Sequence, residues 1–273
     1  MTEKKQNSFI AFLRLIRIEN LLIIAATQYL FEYFVIRGIF NIPNKILFEY
    51  FGNYKAIPPM EFGMQLSHLD FFLLSLSTVM IAAAGYIIND YFDLHIDNIN
   101  KPDKVVVDKL VKRRWTIFFH FLFSLAGIIF SGMVSFITHK WVILIVNIVC
   151  VFLLWLYSTR YKKKILIGNI LIAAMTAWVI LVVYFFAGAS LLNVKGWTLH
   201  IYPYNIKLLF KLTMLYAGFA FVMSLIREVV KDLEDMIGDA KFKCETMPIK
   251  LGVSATKVFV AVWIIVCVVA LLI

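Results

Sequence analysis

Long apolar runs alternate along the chain with short polar connections. Each run is nearly continuous over about 17–25 residues, which is the length that an α-helix needs to cross a bilayer. Membrane-spanning β-strands would instead show alternating segments of roughly ten residues. The pattern therefore predicts seven helical spans, at residues 21–36, 69–88, 115–137, 141–157, 165–190, 207–226 and 257–273.

Composition supports this interpretation, since 62% of the 273 residues are hydrophobic and the mean hydropathy is +0.85. These values exclude an ordinary soluble domain and favour an all-α polytopic membrane protein. We expect residues 1–273 to form a single membrane domain, with 1–20 as an amphipathic segment at the membrane interface. No cleavable signal peptide is expected, because Arg14 and Arg17 interrupt the first apolar residues.

Lysine and arginine are distributed unevenly between alternate connections. The N-terminus and the connections 89–114, 158–164 and 227–257 hold 20 of them, whereas the other three connections hold 7. Positive residues accumulate on the cytoplasmic side of a membrane. We therefore predict a multi-pass protein of the inner or cytoplasmic membrane, with its N-terminus and these three connections in the cytoplasm. Membrane lipids are its expected surroundings, and no nucleic-acid partner is expected.

Two acidic clusters follow predicted spans, although carboxylates are costly near a bilayer. Asn89, Asp93 and Asp97 are spaced four apart and share one helix face, where like charges repel by roughly 0.2–0.5 kcal/mol per pair. A second cluster, spaced three and then four apart, repeats this arrangement with Asp232, Asp235 and Asp239. A divalent cation between the clusters would remove the repulsion, and hard oxygen ligands favour Mg²⁺.

Such a pair of clusters suits the binding of a diphosphate through Mg²⁺, because the metal neutralises negative charge as the diphosphate leaves. Basic side chains on the same side of the membrane are candidates to assist, namely Lys101, Lys104, Arg160, Lys162, Lys163, Arg227 and Lys231. An apolar, aromatic-rich cavity inside the bundle would then hold a lipid tail.

Two other classes of protein place acidic residues in membrane helices. A CDP-alcohol phosphotransferase also uses aspartates and Mg²⁺, but its DGxxAR pattern is absent from this sequence. An ion-coupled transporter would use the acids as ion sites, which usually lie near the bilayer midplane at broken helices. Here the acids lie at the ends of spans, which favours a diphosphate reached from the cytoplasm.

The first cluster belongs to a longer pattern. The run 89–97, followed by 98–102, resembles the NDxxDxxxD signature of the UbiA family of intramembrane prenyltransferases. Four further stretches resemble family motifs in the same order: 17–20 its RPxN, 157–162 with 167–169 its YSxxLK, 227–239 its second Asp-rich motif and 246–252 its TLPxxxG. The resemblance runs from about residue 10 to the end of the chain.

This resemblance implies a UbiA-like helical bundle around a central cavity, with seven spans present here of a usual nine. It implies that Mg²⁺ is held by Asn89, Asp90, Asp93, Asp97, Asp232, Asp235 and Asp239, of which Asp93, Asp97, Asp235 and Asp239 are catalytic. On the diphosphate side it implies Asn20, Lys101, Tyr157, Arg160, Lys162 and Arg227. The implied reaction is Mg²⁺-dependent transfer of a prenyl group from a polyprenyl diphosphate donor to a lipid or aromatic acceptor.

The sequence departs from the family pattern in two places. Only 34 residues follow Asp239, so the last two helices are expected to be missing, and the RPIPSG-like stretch is replaced at 104–109. The wording of the second motif resembles the branch that includes geranylgeranylglycerol-phosphate geranylgeranyltransferases and chlorophyll-synthase-like enzymes. We therefore favour geranylgeranylglyceryl phosphate as the acceptor, with a quinone precursor of the 4-hydroxybenzoate or dihydroxynaphthoate type as the alternative.

Overall fold

The computed structural model describes residues 8–40, 67–191 and 202–272. Its α-helices, in chain order, are α1 (Ser8–Leu15), α2 (Ile18–Leu30), α3 (Arg37–Phe40), α4 (His68–Asn100), α5 (Arg113–Thr138), α6 (Trp141–Thr159), α7 (Ile167–Leu191), α8 (Tyr202–Glu234), α9 (Met236–Lys241), α10 (Met247–Leu251) and α11 (Val253–Leu272). A π-helical stretch, Phe31–Ile36, joins α2 to α3, and short 3₁₀ turns lie at Pro102–Lys104 and Tyr161–Lys163.

Seven helical stretches of the described residues are long and apolar enough to cross a membrane: Ile18–Ile39, His68–Asn100, Arg113–Thr138, Trp141–Thr159, Ile167–Gly188, Lys207–Glu234 and Val253–Leu272. The predicted all-α class and all seven predicted spans are confirmed. Helices suit this environment because they satisfy their backbone hydrogen bonds internally. Helices α4 and α8 continue beyond the predicted ends of their spans, so the first acidic cluster and the start of the second lie on long, rigid helices.

The amphipathic N-terminal segment forms α1 and packs onto the end of the bundle. Ala11 and Leu15 are buried against a cluster that includes Ile87 and Leu94 of α4. The chain then turns at Arg17, which adopts a left-handed conformation with φ of 51°. The position of α1 relative to the membrane interface stays a prediction. Five residues of the charge count, Lys4, Lys5, Lys45, Lys55 and Lys195, lie outside the described residues.

Helix α4 is central to the bundle and contacts α2, α5 and α6. Its approach to α5 depends on Gly127, because a Cβ atom there would lie 2.6 Å from Cγ1 of Ile81. The hydroxyl of Ser77 also donates a 2.8 Å hydrogen bond to the Gly127 carbonyl. Small residues that let backbones approach, together with polar contacts, are the usual means of holding membrane helices together.

Packed apolar side chains fill one end of the bundle, and the other end, called the hollow end below, contains cavities. Leu74, Val134, Ile143 and Phe186 belong to a tightly packed cluster in which these four side chains are almost fully buried. Helix α11 packs on α8 and leaves most of its apolar surface exposed, as expected of a helix that faces lipid. The hollow end carries both acidic clusters.

Candidate active site

Two adjoining cavities lie at the hollow end of the bundle. The polar cavity has a volume of about 880 Å³ and is lined by both acidic clusters. The apolar cavity has a volume of about 320 Å³ and extends between α2, α4, α6, α7 and α8. Six residues line both cavities, so they mark the junction: Arg17, Asn20, Asn89, Tyr157, Glu228 and Lys231.

The first acidic cluster lies on one face of α4, as its spacing predicts. Asn89 and Asp93 are buried, and the Asn89 side-chain amide donates a 2.7 Å hydrogen bond to Oδ2 of Asp93. The other end of the Asn89 amide, Oδ1, is buried and accepts no hydrogen bond from the described residues. A buried oxygen without a donor is costly, so this site favours an additional cationic or hydrogen-bonding partner.

The second acidic cluster does not lie on one helix face, and in this respect the interpretation from spacing is wrong. Helix α8 ends at Glu234, the chain bends at Asp235, and Asp239 lies on the separate short helix α9. The bend is held by Asn100, which donates to the Asp235 carbonyl at 2.9 Å and accepts from the Gly238 N–H at 2.8 Å. These bonds satisfy backbone groups near the break in the helix.

Basic side chains neutralise the carboxylates of both clusters. Lys162 contacts Asp93, Lys101 lies 2.7 Å from Asp235, and Arg17 lies 2.7 Å from Asp90. Burial disfavours the Lys162 ammonium, but the charges of Asp93 and of its neighbours outweigh burial and raise its pKa. The raised pKa favours the ammonium form, in which Lys162 is the cationic partner of Asp93.

Lys162 is positioned by a short turn that is hydrogen-bonded to a distant segment. It lies in the 3₁₀ turn Tyr161–Lys163 between α6 and α7, and the Glu245 N–H donates a 2.8 Å hydrogen bond to the Lys163 carbonyl. The same bond connects this turn to the segment that follows the second cluster. Tyr157, one turn earlier on α6, is buried at the junction of the two cavities.

The structure brings most of the predicted site residues together. Eleven of them line the polar cavity: Asn20, Asn89, Asp90, Asp93, Asp97, Lys101, Tyr157, Lys162, Asp232, Asp235 and Asp239. Arg227 instead lines the apolar cavity, is largely exposed and contacts Glu228 at 3.1 Å. Arg160 is exposed at the end of α6 and does not line either cavity.

Besides Arg17, sequence reasoning did not assign three other residues of the site. Asn169 donates a 2.9 Å hydrogen bond to Asp232, Asn100 holds the bend described above, and Glu228 is a buried carboxylate at the junction. All three lie within the stretches that resemble family motifs. Their positions inside those stretches were the available signal, whereas their partners are distant in sequence.

The chemistry of the cavity fits a hard divalent cation. Its oxygen donors come from both clusters, and Asn89, whose Oδ1 has no hydrogen-bond partner among the described residues, is one of its lining residues. Burial raises the pKa of Asp239, as expected of a carboxylate that lacks a compensating cation of its own. Among the described residues, no three His, Cys, Asp or Glu side chains converge closely enough to hold a metal ion. Lysines pair with two of the carboxylates, Asp93 and Asp235.

An intramembrane bundle with two facing Asp-rich clusters is the architecture expected of an intramembrane prenyltransferase. The model of the UbiA prenyltransferase family matches residues 60–273, and the chain belongs to that family.

Relatives with assigned names point to one branch of the family. Digeranylgeranylglyceryl phosphate synthase of Methanococcus aeolicus is 30% identical over 197 residues, which cover 71% of this chain and 60% of that protein. The synthase of the same name from Methanosarcina mazei is 33% identical over 184 residues, covering 67% of this chain and 56% of that protein. The chain thus spans less than two thirds of the length of these relatives.

The fold also matches a solved structure from work on the biosynthesis of digeranylgeranylglyceryl phosphate synthase in membranes. The TM-score is 0.60 at 23% sequence identity, and the match covers 97% of this chain and 76% of the other. This likeness shows a shared fold.

Proposed function

We propose that this protein catalyses the Mg²⁺-dependent transfer of a prenyl group from a polyprenyl diphosphate to an acceptor lipid within the membrane. The observation that carries the proposal is the junction of the two cavities. Both acidic clusters line the polar cavity, and six residues connect it directly to the apolar cavity. A diphosphate in the first and its prenyl chain in the second would place the reacting carbon at the junction.

The polar cavity is lined by residues with oxygen ligands for a metal ion and by cationic residues. Asn89, Asp93 and Asp97 on one side, and Asp232, Asp235 and Asp239 on the other, would hold Mg²⁺ through hard oxygen atoms. When bound, Mg²⁺ would neutralise the diphosphate as its bond to carbon breaks. Lys101, Lys162 and Lys231 line the same cavity and would bind the diphosphate oxygens as point charges.

Two of these lysines are already paired with carboxylates and must be released before they can bind a diphosphate. Lys162 contacts Asp93 and Lys101 contacts Asp235, so each lysine now compensates a carboxylate. Diphosphate and metal would arrive together, because the carboxylates can release the lysines only when another cation takes their place. Lys231 forms no ion pair among the described residues and is available to the diphosphate at once.

The reaction balances with an alcohol acceptor. The bond between the first prenyl carbon and the diphosphate breaks, and the resulting allylic cation forms a bond to the acceptor oxygen. The acceptor proton is released, and the diphosphate leaves with the electron pair. The names of the relatives support a prenylated glyceryl phosphate as the acceptor. A cytoplasmic opening of the polar cavity is supported by the distribution of lysine and arginine.

The test is product identification with purified, lipid-reconstituted protein. Geranylgeranyl diphosphate and Mg²⁺ are incubated with geranylgeranylglyceryl phosphate, 4-hydroxybenzoate or dihydroxynaphthoate, and products are identified by mass spectrometry. We expect a doubly prenylated glyceryl phosphate. Exclusive prenylation of an aromatic acceptor would overturn the acceptor assignment, and the absence of any Mg²⁺-dependent product would overturn the function.

A matched pair of variants tests the site. Asp93→Ala should abolish turnover, because it removes a central buried carboxylate of the polar cavity. Glu245→Ala is the control, since the Glu245 side chain is 62% exposed and lines neither cavity. Near-normal turnover of Asp93→Ala would remove Asp93 from the site.

A further inference from the structure

A layer of polar side chains crosses the bundle at one level and joins its helices. The Trp178 indole N–H donates a 2.8 Å hydrogen bond to Oδ1 of Asn147. The Asn147 amide donates in turn to Ser77 at 3.3 Å and to Ser131 at 3.0 Å. Beside them, the Gln28 amide donates to the Thr78 hydroxyl at 3.1 Å. These contacts connect α2, α4, α5, α6 and α7.

This polar layer forms the inner end of the apolar cavity. Thr78, Asn147 and Trp178 all line the cavity, each from a different helix. One helical turn farther from the acidic clusters, the same three helices carry Leu74, Ile143 and Val182, which are completely buried. The cavity therefore ends at the polar layer, because the space beyond it is filled by packed side chains.

The depth of the cavity can be taken from α4 and α8, the two helices that line it over the longest stretches. Lining residues run from Asn89 to Thr78 on α4 and from Lys231 to Ala220 on α8, which is about 16 Å at the helical rise. Carbon single bonds of about 1.5 Å advance an extended chain by roughly 1.25 Å each. About 16 Å thus holds roughly 13 main-chain carbons, or three to four isoprenoid units.

We infer that Trp178 is the residue that limits the length of the prenyl chain, and that Asn147 fixes it in place. This inference rests on the proposed function and specifies its donor. The indole is the largest side chain at the inner end of the cavity, and its N–H is bonded to an amide that is itself held by two hydroxyls. A side chain fixed in this way cannot swing aside for a longer donor without breaking a buried hydrogen bond.

There is a second reason why the polar layer can close the inner end of the apolar cavity. The hydrogen bonds of Trp178 and Asn147 are made to protein groups, so these two residues present satisfied polar groups and aromatic surface to an incoming chain. A longer prenyl chain would have to displace these groups and leave them without partners inside the membrane, which is unfavourable. Donors of up to about four units would contact the wall without disturbing it.

The experiment compares donor-length profiles of the full chain and its variants. Geranyl, farnesyl, geranylgeranyl and hexaprenyl diphosphates compete for one acceptor, and product ratios are read by mass spectrometry. The same four lengths are also tested for binding as unreactive thiolodiphosphate analogues. The wild-type protein should favour the farnesyl and geranylgeranyl donors and discriminate against hexaprenyl. Trp178→Ala should raise the ratio of hexaprenyl to geranylgeranyl use about tenfold or more, since hydrophobic pockets discriminate by size to that extent.

Two further variants separate length selection from general damage. Trp178→Phe keeps most of the volume and loses the N–H that Asn147 holds, so its use of the hexaprenyl donor should lie between that of the wild type and that of Trp178→Ala. A profile equal to that of the wild type would contradict the role of Asn147. Trp263→Ala removes an indole from α11 that lines neither cavity, and should leave the profile unchanged. If Trp178→Ala does not fold, Trp178→Leu is used in its place.

Each outcome decides between the two proposals. An unchanged length profile in folded Trp178→Ala, or equal wild-type use of hexaprenyl and geranylgeranyl donors, overturns the role of Trp178. Absence of turnover with every donor overturns the proposed function instead, and the binding profile of the analogues then still tests the inner wall.

Discussion

Asn100 lies so close to Gly238 that any side chain at position 238 would displace the Asn100 amide group. The Gly238 N–H donates a 2.8 Å hydrogen bond to Oδ1 of Asn100, and a Cβ atom on Gly238 would lie 2.4 Å from that oxygen. This contact connects the end of α4 to the first turn of α9. A hydrogen bond that involves none of the cluster carboxylates therefore holds the two acidic clusters together.

We predict that Gly238→Ala destabilises the protein and reduces turnover, because the added methyl group must displace the Asn100 amide. Overpacking of this kind costs about 1–3 kcal/mol. Thermal unfolding in detergent and the kcat for prenyl transfer would both report it. Gly218→Ala is the matched control, since nothing lies within 4 Å of a Cβ atom there. That variant should be neutral or slightly stabilising, because alanine favours helices. Equal behaviour of the two variants would contradict the proposed constraint.

Lys162 and Lys163 are neighbours with opposite surroundings, which gives a second matched pair. Lys162→Met leaves Asp93 buried without its cation, so we expect a loss of stability of about 3–5 kcal/mol and a strongly raised KM for the diphosphate donor. Lys163 is exposed, so Lys163→Met should change neither quantity appreciably. The measurements are thermal unfolding and donor titration at saturating acceptor. A similar KM for both variants would remove Lys162 from the diphosphate site.

Asp239 should make the metal-free protein less stable when it is ionised. Burial raises its pKa above the ordinary value of 3.8. A carboxylate with a raised folded-state pKa destabilises the fold above that pKa, and the effect disappears as the pH falls toward the ordinary value. In chelator-treated protein at neutral pH, Asp239→Asn should therefore raise the Tm by about 2–4 °C while abolishing turnover.

The pH dependence provides the check on this prediction. The difference in Tm between Asp239→Asn and the wild type should shrink as the pH is lowered, because the wild-type carboxyl then becomes protonated as well. Asp103→Asn serves as the control, since Asp103 is exposed at the rim of the polar cavity. A Tm difference that grows on acidification would show that the sign of this effect is wrong.

Topology is the fourth prediction. With the N-terminus in the cytoplasm, cysteines placed at Lys112 and Lys243 should react with the same membrane-impermeant reagent from the cytoplasmic side. A cysteine at Lys140, which follows α5 at the other end of the bundle, should react only from the opposite side. The three native cysteines are buried and should give little background. Labelling of positions 112 and 243 from different sides would exclude the predicted arrangement.

Much of the fold could be predicted from the sequence because its main signals are local. Each of the seven apolar runs is long enough to satisfy its own backbone hydrogen bonds in a membrane, so helix number and order follow directly from hydropathy. The face shared by Asn89, Asp93 and Asp97 follows equally from the helical repeat. The motif resemblance added the family, which the match over residues 60–273 confirmed.

Contacts between distant segments could not be read in the same way. Spacing alone suggested a single helix face for Asp232, Asp235 and Asp239, but Asn100, more than a hundred residues away, holds a bend at Asp235. Lys162 and Arg160 lie two residues apart in one basic run, yet only Lys162 lines the polar cavity. They differ because Arg160 lies at the end of α6, whereas Lys162 lies in the following 3₁₀ turn, which is joined to Glu245 by a hydrogen bond.

The inner wall of the apolar cavity is the clearest case of a feature that depends on tertiary structure. Trp178, Asn147, Ser77 and Ser131 are unremarkable polar positions within four apolar runs, and no periodicity distinguishes them from residues that face lipid. They become one hydrogen-bonded layer only when four helices pack side by side. Hydropathy decides that a segment enters the membrane, because burial of apolar surface is not directional. Hydrogen bonds decide which faces meet, because they require donors and acceptors at defined distances.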